Sequence, residues 1–160
     1  MDRDEAFQQL QLAVQDPQHG PRQISKLAES GVDLNYSSCP QHPIFEAIGF
    51  HHMNIVNVLL ENGVRFDHRD PKHHNASVIQ RLRSQRDFFQ GLADSPAHKE
   101  SRGVIKRRLK LTLKAIEIYD SAIAKGQLDE IADVSEPTHE EVMKALQERL
   151  RALTDSGGNP

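Results

Sequence analysis

The strongest constraint on how this chain can fold is a pattern that occurs twice. Leu27-Ala28-Glu29-Ser30-Gly31-Val32-Asp33-Leu34-Asn35 reads against Leu59-Leu60-Glu61-Asn62-Gly63-Val64-Arg65-Phe66-Asp67, and Gly63 follows Gly31 by 32 positions. Each segment is the end of an apolar helix, a Gly, and a short apolar/polar alternation closing on Asn or Asp. Gly just past a helix supplies the left-handed conformation that ends it without a Cβ clash. A unit that recurs at this period cannot bury its own apolar face, so a neighbour must cover it.

Upstream of each Gly lie two short helical stretches. In the first unit they cover residues 4–15 and 21–30, separated by Asp16-Pro17-Gln18-His19-Gly20, whose Pro and Gly break a helix. In the second they cover 43–50 and 54–62, separated by His51-His52-Met53. Ile55, Val58, Leu59 and Asn62 follow i, i+3, i+4, i+7 spacing, so one stripe of that helix is buried. Pro43 stands at a first helical turn, where its missing N–H costs nothing.

Residues 42–70 resemble the ankyrin repeat. Pro43 and Ile44 match the family's Pro-Leu, Ala47 and Ile48 its Ala pair, and His52 the His of the inter-helix turn. Ile55-Val56 and Leu59-Leu60 match its second helix, and Gly63, Val64, Phe66 and Asp67 its closing turn, with no gap. The departures are His42 for the family Thr, Phe45 for the His after Leu, and His51 for the turn Gly. The family's Thr and His tie neighbouring repeats by hydrogen bonds, so that network is expected to be altered. The first unit matches through Leu27, Gly31, Val32, Leu34 and Asn35 and resembles an N-terminal cap; a degenerate third unit starts at Asp70.

Beyond residue 75 the pattern changes. Val78, Leu82, Gln85, Phe89 and Leu92 share one face of a helix that Asn75 could cap, and Asp94-Ser95-Pro96 ends it. Residues 94–101 read as a loop. A longer helix over 101–125 carries Ile105, Leu109, Thr112, Ile116, Tyr119 and Ile123 on a wide stripe and stops at Gly126. After an acidic segment, 129–137, Thr138 and Glu141 form a capping box for a last helix with the stripe Val142, Leu146, Leu150, Leu153 and Met143 beside it. Residues 156–160 read as a disordered tail.

No run of strands is visible, so the expected fold is all-α: a short ankyrin-like helix–turn–helix array followed by C-terminal amphipathic helices. The expected divisions are a repeat region 1–95 (cap 4–35, repeat 36–69, degenerate repeat 70–95), a helical extension 96–155, and the tail. The C-terminal helices are expected to seal the open end of the stack through Leu109, Ile116, Leu146 and Leu150, or else to form an interface.

Composition narrows the function classes. A net charge of −3 argues against nonspecific nucleic-acid or anionic-membrane binding by the chain as a whole. No stretch approaches the ~20 apolar residues of a transmembrane helix, Met1-Asp2-Arg3-Asp4-Glu5 does not open a secretory signal, and a lone Cys39 allows no internal disulfide. A cytoplasmic protein is expected. Nine His include the run His68, His73, His74, but neither a Cys/His zinc pattern nor His-Glu-x-x-His is present. Cys39 has no basic cluster beside it to activate it, and neither a phosphate loop nor a nucleophile elbow occurs. No enzyme, cofactor or metal site is expected.

Charge is unevenly distributed. Arg102, Lys106, Arg107, Arg108, Lys110 and Lys114 come with no acid among them, whereas eight acids and one base span 117–141. Positive charge near a helix N-terminus opposes the macrodipole, so helix stability does not explain the order. Either Lys106, Arg107 and Lys110 lie on a solvated face or pair with the acidic segment, or they meet an acidic partner. No aromatic lies among them, so nucleic acid is not expected.

The ankyrin resemblance implies recognition of another protein through the turn tips and first-helix concave surface. On this chain that surface is Tyr36, Ser38, Glu46, Phe50, His68, Arg69 and Asp70, with Lys106, Arg107 and Lys110 as a second contact set. The expected function is a non-enzymatic module that docks a protein partner, as an adaptor or as an immunity- or antitoxin-like inhibitor. The alternative is a self-associating structural protein that forms a homodimer through its C-terminal helices.

Overall fold

Asp2 starts the first helix, α1 (Arg3–Val14), by accepting the Glu5 N–H at 2.9 Å, an N-cap bond that satisfies an otherwise orphaned donor. The computed structural model describes residues 1–135 and 137–157. After α1 the Asp16 carboxylate accepts the N–H groups of Gln18 and His19 and turns the chain into α2 (Gly20–Glu29), with Pro21 in its first turn. The second unit repeats this as α3 (Pro43–Gly49) and α4 (Met53–Glu61). Both α2 and α4 end on a glycine of positive φ, Gly31 at 81° and Gly63 at 92°. Val32 N–H then reaches the Leu27 carbonyl and Val64 N–H the Leu59 carbonyl, the closure expected of a left-handed helix stop.

The third unit departs from the sequence expectation. Arg69–Asp70 (β1) pairs antiparallel with Ala76–Ser77 (β2), Arg69 opposite Ser77 and Asp70 opposite Ala76. His74 and Asn75 adopt left-handed conformations in the turn between them. The cap of the next helix, α5 (Val78–Asp94), is therefore Ser77, whose hydroxyl accepts the Gln80 N–H at 3.2 Å, and not Asn75. A 3₁₀ turn, Pro96–His98, leads to α6 (Arg102–Ala124). Because α5 packs on α6, the division expected at 95/96 falls inside a helix pair.

The helices form two layers. α1, α3 and α5 lie side by side in one; α2, α4 and α6 line up in the other, and each helix of the first packs on its successor. One core runs through the stack, from Leu10 and Ile24 through Ile44, Ile55 and Leu59 to Leu82, Phe89, Ile116 and Tyr119. Each such side chain contributes ~1.5–3 kcal/mol by burial. Asn57 adds a polar tie between the second-layer helices, donating to the Leu111 carbonyl at 2.9 Å.

The seal at the open end is only half as expected. Ile116 is in the core and Leu109 packs against it, but Leu146 and Leu150 are 46% and 64% exposed. Residues 128–134 take the place assigned to them. Leu128 and Ile131 pack on the core, the Ile131 N–H donates to the Tyr119 hydroxyl at 2.9 Å, and Gln80 exchanges two hydrogen bonds with the Val134 backbone. The last helix, α7 (His139–Gly157), begins with the capping box of Thr138 and Glu141, each accepting the other's N–H at 3.2 Å. Residues 139–155 are all exposed. The helix continues to Gly157, two residues into the expected tail, and 158–160 lie outside the described residues. Among the described residues no helix is long and apolar enough to cross a membrane.

Candidate partner-binding surface

The turns between helix pairs are held by buried polar groups. Asp70 is fully buried, and its carboxylate accepts from the Gln41 amide at 2.9 Å, the Lys72 N–H at 3.0 Å and His73 Nδ1 at 2.8 Å, with Arg81 Nε 3.5 Å away. Such a carboxylate is tolerable only because cations and donors surround it. Burial lowers the pKa of Arg81, and Asp70 opposes that shift. Asn35 links the first turn to the second: its amide donates to the Gly63 carbonyl and its oxygen accepts from the Arg65 N–H and His68 Nε2.

His42 is the centre of the second turn. Its Nδ1 accepts the Ile44 N–H at 3.0 Å and caps α3, while Nε2 donates to the Leu34 carbonyl at 2.7 Å. The two roles require the neutral ring with its proton on Nε2. Burial first, then the neighbouring His68, hold its pKa down to about 4. The His68 ring stacks on it with centroids 4.3 Å apart. On the other side of the stack, His52 Nδ1 donates to the Val14 carbonyl at 3.1 Å and joins the first two pairs.

Between these turns and the first-layer helices lies an open groove of about 660 Å³, lined by Gln11, Cys39, Gln41, Glu46, Phe50 and His73 among others. Phe50 is 54% exposed, at the C-terminus of α3. Glu46 accepts from Gln15 across α1 and α3 at 3.1 Å. Ser38 is exposed on its turn and Arg69 on β1. Tyr36 is half-buried; its hydroxyl donates to Asp4 at 2.6 Å, which raises its pKa, and Arg3 lies 4.5 Å from the ring centre.

Two expected contacts have other work. Asp70 is withdrawn from the surface altogether, and half-buried His68 is committed to Asn35 and His42.

A second groove, of about 490 Å³, opens where the helix pairs turn over. Phe50, Met53, Val104, Arg107, Arg108 and Leu111 lie in its wall, so Phe50 belongs to both grooves. His51, also in its wall, has φ 60° and is stacked on Phe88 with centroids 5.9 Å apart. Its pKa is lowered by burial and then by the charge of Arg108. Lys106, Arg107 and Lys110 are exposed, but only Arg107 of the three lines this groove.

The sequence reading leaves Val104, Arg108 and Phe88 out of the expected contact set, although Arg108 stands in its basic run. The helical spacing that selects Phe89 for the core leaves Phe88 outside it at 52% exposure, and that offset is the signal that could have found it. Among the described residues no group of three or more His, Cys, Asp or Glu is placed to hold a metal ion. Comparison with protein-family models, with curated proteins and with solved structures returns no match to this chain.

Proposed function

We propose that this chain is a non-enzymatic, ankyrin-like protein-binding module that docks a segment of another protein along the groove beneath its turns. The observation that carries the reading is Phe50, a large apolar side chain more than half exposed at the junction of two open grooves. Exposed aromatic anchors of this kind dominate binding energy at protein interfaces. The polar residues around it support the same reading. Asp70, His42 and Asn35 are engaged in holding the turns in place, which pre-organises a surface and reduces the cost of binding.

The adaptor and the immunity- or antitoxin-like inhibitor are two uses of one such surface, and a cytoplasmic location goes with either. Affinity capture from the source cells tests the proposal: the full chain retains a protein that a folded Phe50→Asp variant loses. Equal retention by both would remove the groove from the account.

The second reading, self-association, is favoured by one observation. Val142, Leu146 and Leu150 form an apolar stripe along α7 that is 40%, 46% and 64% exposed. Light scattering at increasing concentration tests it; a dimer that Leu146→Glu dissociates is its expected result.

A further inference from the structure

Most of the positive charge of α6 has no ion-pair partner among the described residues. Among the described residues Arg102, Lys106, Arg107, Arg108 and Lys110 take part in no ion pair; Lys114 alone of the six pairs, with Glu61 at 3.3 Å. The acidic segment, as far as it is described, does not pair with them. It crosses α5 through Gln80, and Asp133 pairs with Arg83 at 3.6 Å. These cations lie towards the N-terminal end of α6, where the macrodipole disfavours them.

The groove beside them combines that charge with apolar surface. Among the described residues its lining includes Arg107 and Arg108 but no carboxylate, and its apolar part includes Pro17, Phe50, Met53, Val104 and Leu111. Phe50 and Val104 are each 54% exposed, and Phe88, against His51, is 52% exposed. A surface of this kind is complementary to one ligand chemistry: apolar anchors flanked by carboxylates.

We propose that the groove between the α3–α4 turn and the N-terminal half of α6 binds an acidic amphipathic peptide segment of the partner. Its apolar side chains cover Phe50 and Val104, and its carboxylates meet Arg107 and Arg108. The inference rests on the protein-binding reading above and names the ligand chemistry of one of its grooves. A polyanionic nucleic acid fits less well. The chain as a whole carries −3, and a phosphate backbone would follow the cations and leave the apolar floor uncovered.

The test uses the full chain and a fluorescent helical peptide with Leu and Phe at i, i+3, i+4 and i+7 and Glu at its other positions. The comparison probes are the same peptide with Lys for Glu, a 20-nucleotide oligo-dT, and phosphatidylserine vesicles. The acidic peptide is expected to bind at least about tenfold more tightly than the other three, and to weaken as salt rises. Arg107→Glu is expected to weaken it about tenfold. Lys106→Glu makes the same change of net charge one residue earlier, about 100° around the helix and outside the groove, and is expected to change affinity less than about twofold.

Both positions are exposed, so neither variant is expected to unfold, and circular dichroism checks this. Equal binding of the Glu and Lys peptides, no binding of either, preference for the oligonucleotide or vesicles, or equal effects of the two substitutions would overturn the proposal. Any of these results combined with a partner still lost by Phe50→Asp would overturn the acidic ligand alone and leave the protein-binding reading standing. Capture insensitive to Phe50→Asp would remove that reading as well.

Discussion

Helices α6 and α7 are both long and amphipathic, and they share the same apolar periodicity, yet they end up in opposite situations. α6 buries Ile105, Thr112, Ala115, Ile116 and Tyr119, whereas α7 has every residue from 139 to 155 exposed. Periodicity fixes which face of a helix is apolar; it does not say what covers that face. Connection and competition decide. α6 follows α5 through a short 3₁₀ turn, which returns it antiparallel onto the core. α7 follows a segment whose Leu128 and Ile131 already occupy the open end of the stack.

That contrast can be broken at its strongest point. Tyr119→Ala removes a ring that is 1% exposed, packs edge-on against Phe66 at 5.2 Å and anchors the Ile131 N–H. It is expected to cost ~3–5 kcal/mol in urea unfolding. Leu146→Ala in α7 is expected to stay within ~0.5 kcal/mol. Similar losses at both positions would mean that α7 belongs to the core.

The turn network supplies the next effect. Because the folded His42 pKa is about 4, against 6.5 for the free side chain, the unfolded chain takes up a proton between those values and the folded chain does not. Stability is unaffected above pH 6.5 and falls as pH drops from 6.5 towards 4. The loss attributable to this group is about 3 kcal/mol. Denaturant titration at a series of pH values checks the slope. His42→Gln, which removes this group's titration, is expected to make the slope over that window shallower, the remainder coming from His51 and His68, whose pKa values burial also lowers.

The segment over α5 is held more weakly. Gln80→Ala deletes both of its hydrogen bonds to the Val134 backbone and is expected to cost ~1–3 kcal/mol. Amide exchange at Ile131 and Val134 should accelerate more than exchange at Leu82 on the helix beneath. Uniform acceleration would indicate that the segment and the stack open together. A small effect is also expected at the exposed ion pair of Lys114 with Glu61, where Lys114→Ala should change stability by less than ~1 kcal/mol.

Much of this architecture is legible in the residues because it is local. Gly31 and Gly63 mark two helix ends, Thr138 and Glu141 a helix start, and Pro and Gly near 17–20 a turn; each signal acts within a few residues of itself. What was not legible depends on distant partners. Two-residue strands carry no periodicity, so the pairing of Arg69 with Ser77 could not be read, and with it the choice of Ser77 over Asn75 as cap.

Candidate contacts divide along the same line. Phe50 stands out as an apolar residue just past the end of α3. The removal of Asp70 from the surface depends on Gln41 and Arg81 converging on it from other elements. Val104 and Arg108 enter the candidate surface only because α6 returns beside the α3–α4 turn.

The central claim, that Phe50 is a point of contact with another protein, is tested most directly by placing a photo-crosslinking amino acid there in the source cells. Leu12, 69% exposed on α1 and outside both grooves, is the matched control. A discrete adduct of higher mass is expected from position 50 and none from position 12. No adduct at position 50, or the same adducts from both positions, would contradict it.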